Sequence, residues 1–180
     1  MPSAHQIGDL VGNYTTWEAG GKKGLTLNTK AVNVIWGGEL SKSRYWKASL
    51  DGSTQVLELL GVYWLEISGK IPLSLLSPNT KYSLVFNIKL TPAASGWEKC
   101  PVVFKVSVPG KKTNAAHVNL YDHVDLNWVD VPEGLQFSVP EDNSGQLAFA
   151  MYEIECGEWK KGLSIREIRF IPETTVTINI

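Results

Sequence analysis

Scarcity is the first guide to this chain. Of its 180 residues only Cys100 and Cys156 are cysteines, and only His5, His117 and His123 are histidines. No CxxC pair exists and no histidine stands beside either cysteine, so the spacing of a structural zinc site is missing. One disulfide is open to the pair, but domains built on disulfides are denser in cysteine, and two free thiols in a reducing compartment are the favoured reading. Charge of one sign is not in excess either: 17 Lys and Arg face 18 Asp and Glu, for a net charge of -1. Nucleic acid is therefore not an expected partner, because phosphate binding draws on a basic field or patch. The densest basic groups, Lys22-Lys23, Lys111-Lys112 and Lys160-Lys161, each stand next to a glycine and read as solvated turns.

Long apolar runs are missing too, so no membrane span is expected. The start MPSAHQIGDLVGNY has neither the charged head nor the apolar stretch of a signal peptide. With the cysteine reading, this points to a cytoplasmic or nucleocytoplasmic protein. No GxSxG, GxxxxGK[ST] or dinucleotide fingerprint occurs. His117 and His123 with Asp122 and Asp125 hold no helical register that would turn them into a metal cluster, and they read as a polar loop. Glu66, Glu153, Glu155 and Glu158 could supply a glycosidase pair, but orienting or surface roles account for such carboxylates without catalysis. No catalytic activity, cofactor or metal is expected.

What the chain has is alternation. Tyr82, Leu84, Phe86, Ile88 and Leu90 repeat with a period of two, as do Val102, Phe104, Val106 and Val108, and then Leu135, Phe137 and Val139. Leu59–Ile67 is apolar on both phases and reads as a central strand, with Trp64 in the core. Leu163 and Ile165 share one phase and Ile168 and Phe170 the other, which predicts a bulge between Ile165 and Ile168. Only Thr54–Leu60, behind Ser53, could be a short helix. Many strands and no long amphipathic helix give an all-β fold, an antiparallel β-sandwich of jelly-roll type. Residues 1–30, with the connector AGGKKG and an isolated Trp17, read as an N-terminal extension to a domain over 31–180. Thr174–Ile180 reads as an added edge strand.

Aromatic residues make up 10% of the chain, and seven of them are tryptophans. Trp36 and Trp46 flank the polar loop GGELSKSRY, where an indole can lie against the apolar face of a sugar ring while polar neighbours bind its hydroxyls. For Trp97, Trp128 and Trp159, core and site are equally open.

The succession VNVIW, SRYW, VLELLGVYWLEISGKI, LSPNTKYSLVFNIKL and EWKKGLSIREIRFIP, from about Val32 to Pro172, resembles the phloem protein 2 family of plants, which includes phloem lectins. The resemblance implies a non-catalytic β-sandwich that binds N-acetylglucosamine oligomers or N-glycan cores, found as a homodimer in the nucleocytoplasm, in phloem among other places. By position it implies Trp36, Trp46 and Glu153 as sugar-binding residues, with Gln146 where the family carries an acid. The loop between the two tryptophans is longer than the family's. That departure and the uncharged Gln146 leave a second reading, an interaction protein of the same fold with lost or altered sugar binding.

Overall fold

The computed structural model describes residues 3–41, 43–123 and 127–174. Their strands form two antiparallel sheets. The larger runs in the order β1 (Tyr14–Ala19), β2 (Lys22–Asn28), β13 (Lys161–Pro172), β5 (Thr54–Leu59) and β4 (Trp46–Asp51). In the same sheet β7 (Thr80–Ser95) pairs with β13 and carries β10 (Val129–Val131) and β11 (Gln136–Val139). The smaller sheet runs β3 (Asn33–Val34), β6 (Leu65–Pro72), β12 (Gln146–Glu153), β8 (Val102–Ser107) and β9 (Asn114–Val118). The fold is the expected antiparallel β-sandwich, jelly-roll-like in its crossovers.

Period-two burial builds the core, because each strand turns one set of alternate side chains inward. Phe86 of β7 meets Phe104 of β8 edge-on at 5.3 Å, and Phe149 of β12 meets Phe170 of β13 at 5.4 Å, so aromatic pairs join the two sheets. The bulge foreseen in the last strand is present: the β13–β7 register shifts between Ile165 and Glu167, which lets Ile165, Ile168 and Phe170 all face inward.

Four expectations are corrected. Leu59–Ile67 is not one strand: β5 ends at Leu59 in the larger sheet, β6 begins at Leu65 in the smaller one, and residues 60–64 cross between them. Thr54–Leu60 is not a helix, because Asp51 pairs with Thr54 across a two-residue turn and commits the segment to a hairpin. Residues 1–30 are not peripheral: β2 pairs with β13 and carries β1 on its other edge, and Leu25 and Leu27 are core. The cysteines are not free thiols, since Cys100 and Cys156 form a disulfide, and the argument for a reducing compartment falls with them. Tyr152 pairs with Val103 across β12 and β8, and continuing that register brings Cys156 within one residue of Cys100. Of the expected edge strand, residues 175–180 lie outside the described residues. No helix among those described is long and apolar enough to cross a membrane.

Candidate functional site

Three connections meet at one end of the sandwich, and each delivers aromatic rings. The β3–β4 loop brings Trp36, Arg44 and Tyr45, the β5–β6 crossing brings Tyr63 and Trp64, and the β12–β13 loop brings Trp159. Together they line a cleft of about 520 Å³. Trp36 is 37% exposed, Trp64 45%, Trp159 42% and Tyr63 59%. Scattered exposed aromatics need no explanation, but four around one concavity are an unusual use of apolar surface.

Backbone hydrogen bonds lock the three connections together. The Tyr45 carbonyl accepts from the N–H groups of Leu60 at 2.9 Å and Gly61 at 3.3 Å. Val62 and Lys160 exchange both of their hydrogen bonds, at 3.0 and 2.8 Å. Trp159 lies flat on Gly61, where a Cβ would meet the indole at 2.3 Å, and edge-on to Tyr63 at 4.8 Å. Only glycine at 61 admits that contact.

Trp36 is held in an unusual backbone conformation, with φ at 64°. Its N–H donates to Nδ1 of His5 at 2.9 Å, and its ring packs against His5 at 4.8 Å and Tyr45 at 5.4 Å. Residues just after it clasp the N-terminal segment: Gly38 donates to the Ala4 carbonyl and Leu40 to that of Ser3. A Cβ at Gly38 would come within 2.2 Å of the Ser3 carbonyl oxygen, so glycine is required for this approach. Left-handed backbone costs a tryptophan about 1–2 kcal/mol, comparable with what its ring contacts return. Trp36→Gly should therefore leave stability within about 1 kcal/mol of the parent while removing the ring, a result that thermal unfolding would check.

Beneath the rings lies a buried ion pair. Lys160 is fully buried, and its ammonium donates to the carbonyl of Tyr63 at 2.6 Å and of Glu158 at 3.1 Å, and meets Oε1 of Glu153 at 3.1 Å. All three of its hydrogens are used. Glu153 also accepts from the N–H groups of Glu155 and Cys156. Burial pushes its carboxyl up, but the bonds from Cys156, Lys160 and Glu155 outweigh burial and hold it below its ordinary 4.5. Glu153 thus folds the β12–β13 loop back on itself, and through it Lys160, next to Trp159, is held on the Tyr63 carbonyl of the β5–β6 crossing.

The four residues expected to bind sugar are not brought together. Trp36 lines the cleft. Trp46, the first residue of β4, faces the core at 4% exposure, and its indole donates to the Ile35 carbonyl, so it supports the Trp36 loop from below. Glu153 sits under the site with both oxygens engaged. Gln146 is exposed at the other end of β12, seven residues away. That distance is about 23 Å, and the odd spacing turns it to the opposite face of the sheet. Trp64, expected in the core, lies in the cleft instead, because the crossing at residues 60–64 ends before β6 begins. Trp97 is fully buried and donates to the Lys161 carbonyl, while Trp128 is half-buried beneath Arg166, whose guanidinium is 4.6 Å from its ring. Sequence reasoning missed Tyr63, Arg44 and Tyr45 as lining residues. Gly61 inside an apolar run was the available signal, since glycine there marks close approach by another group.

A family model described as Phloem protein 2 matches residues 22–172. Protein PHLOEM PROTEIN 2-LIKE A1 of Arabidopsis thaliana is 32% identical over 154 residues, which cover 82% of this chain and 61% of that protein. A protein named Lectin, from Luffa acutangula, is 34% identical over 135 residues, covering 72% of this chain and 63% of its own. The chain thus spans about three-fifths of the length of each of these relatives. Among solved structures, a xylan-binding domain of the family 22 carbohydrate-binding modules superposes with a TM-score of 0.41 at 12% identity, covering 96% of both chains. With the family match extending from β2 to the end of β13, the chain belongs to the phloem protein 2 family.

Proposed function

We propose that this protein is a non-catalytic lectin whose aromatic cleft binds glycans containing N-acetylglucosamine. The carrying observation is the ring of four exposed aromatic side chains, Trp36, Tyr63, Trp64 and Trp159, around one concavity. A pyranose offers two apolar faces and a rim of hydroxyls. Indole and phenol rings bury the faces, and the open sides of the cleft leave the rim to solvent and to Arg44. An acetamido group adds a methyl for the rings and a carbonyl oxygen for a guanidinium donor. Arg44, stacked at 5.3 Å over Tyr45, is the cation at that position. The relative named Lectin agrees with this reading.

Within the proposal Trp36, Trp64 and Trp159 stack on sugar, whereas Trp46 and Glu153 are positioning residues. Because the three connections are tied together before ligand arrives, little ordering is left for binding to cost. Trp64→Ala should weaken binding of chitotriose about tenfold, the size expected for one lost stacking ring with its buried area. Calorimetric titration of folded parent and variant checks this. Failure of the parent to bind any N-acetylglucosamine oligomer, with protein partners captured regardless of added chitotriose, would favour the interaction-protein reading instead.

A further inference from the structure

The outward face of the smaller sheet forms a second concavity, a groove of about 910 Å³ distinct from the aromatic cleft. Its floor is set by the pairing of β6, β12 and β8. Ala148 lies between Lys70 and Ser107, Ala150 between Ser68 and Lys105, and Tyr152 between Glu66 and Val103. Alanines at the central outward positions leave a trough that their longer neighbours wall. Two of those neighbours are lysines, Lys70 on one side and Lys105 on the other, with α-carbons about 12 Å apart by sheet geometry. Both are exposed, and neither is ion-paired among the described residues. Among the described residues Glu66 is the single carboxylate lining the groove, at the Tyr152 end. In a chain of net charge -1 this is a local positive trough.

Tyr152 adds a second chemistry. Its half-buried ring lies at one end of the floor with the Lys105 ammonium 5.8 Å from its centroid, so ring and cation present themselves side by side. A linear oligosaccharide with carboxylates along its length fits this combination, because its ring faces can lie on methyl groups and a phenol ring while its anions reach two separated ammonium groups. We infer that this groove is a second glycan site, for a uronate-containing chain laid across β6, β12 and β8. The ring faces stack on Tyr152 and Ala150, and carboxylates meet Lys70 and Lys105. The site does not depend on the aromatic cleft or on what that cleft binds.

Titration calorimetry of the full chain with trigalacturonate, fully methyl-esterified trigalacturonate and hexaglutamate is the test. The acid form should bind, and more weakly as salt is raised. The ester, with the same rings and no charge, should bind at least about tenfold more weakly. Lys70→Gln and Lys105→Gln should each weaken binding of the acid form about tenfold, and Ala150→Tyr should abolish it by filling the floor. These positions lie on the outward face of the sheet, so an unchanged thermal midpoint verifies the fold of each variant. Trp36→Gly should leave trigalacturonate binding intact. The inference is overturned if the folded parent does not bind trigalacturonate, or if ester and acid bind equally. It is also overturned if hexaglutamate binds as tightly, which would make the groove a reader of charge alone, or if Trp36→Gly abolishes binding.

Discussion

Glu153→Ala is expected to lower the unfolding free energy by about 3–5 kcal/mol, the usual cost of breaking a buried ion pair by removing one partner. The buried Lys160 ammonium would lose its counter-charge. It is 0% exposed, and among the described residues it keeps only the carbonyls of Tyr63 and Glu158 and has no other carboxylate paired with it. The N–H groups of Glu155 and Cys156 lose their acceptor at the same time. For a chain of this size the thermal midpoint should fall by roughly 6–20 °C. Glu153→Gln with Lys160→Met should recover most of the loss, since the amide oxygen can still accept from the loop and no charge is left buried. Acid acts on the same pair. The carboxyl is held below its ordinary 4.5 in the folded chain, so its stabilisation is complete above that pH and fades as pH falls through the lowered value. The stability gap between parent and Glu153→Ala should therefore narrow below pH 4.5 in denaturant titrations run across the acid range.

Cys100→Ala with Cys156→Ala should cost about 4 kcal/mol, because the bond closes a segment of 56 residues and so restricts the unfolded chain. Urea titration would record this as a lower midpoint. The effect should reach the cleft as well, since Cys156 sits three residues before Trp159 and donates to Glu153. Freed from Cys100, the β12–β13 loop keeps its ties to Val62, Tyr63, Gly61 and Glu153, and chitotriose affinity should fall by a smaller factor than in Trp64→Ala. Disulfide and ion pair share the Cys156 hydrogen bond, so combining their variants should give less than the sum of the two losses.

The strands were legible wherever one face is buried over several residues. Tyr82–Leu90 and Val102–Val108 alternate cleanly because β7 and β8 each turn one set of side chains inward, and the phase change near Ile165 gave away the bulge. The disulfide was not legible, because its closure depends on the register of β12 against β8, which no local pattern encodes. Trp36 and Trp46 share a loop but not an environment: one is lifted out by a left-handed backbone, the other starts a strand with its ring inward. The pairing of Gln146 with Glu153 could have been questioned from spacing alone, since seven residues along a strand reverse the face. Trp159 needed the crossing at residues 60–64 to find its place, and that crossing is set by which sheet each strand joins.

In the proposed lectin, sugar meets the rings of the aromatic cleft. Following the tryptophan indole N–H signals by heteronuclear NMR during titration with chitotriose tests it most directly. Trp36, Trp64 and Trp159 should shift and saturate together, while Trp46 and Trp97, whose indoles are bonded to the carbonyls of Ile35 and Lys161, stay close to their starting positions. Shifts confined to Trp17 or Trp128, or no shift at any chitotriose concentration, would rule out sugar binding in the aromatic cleft.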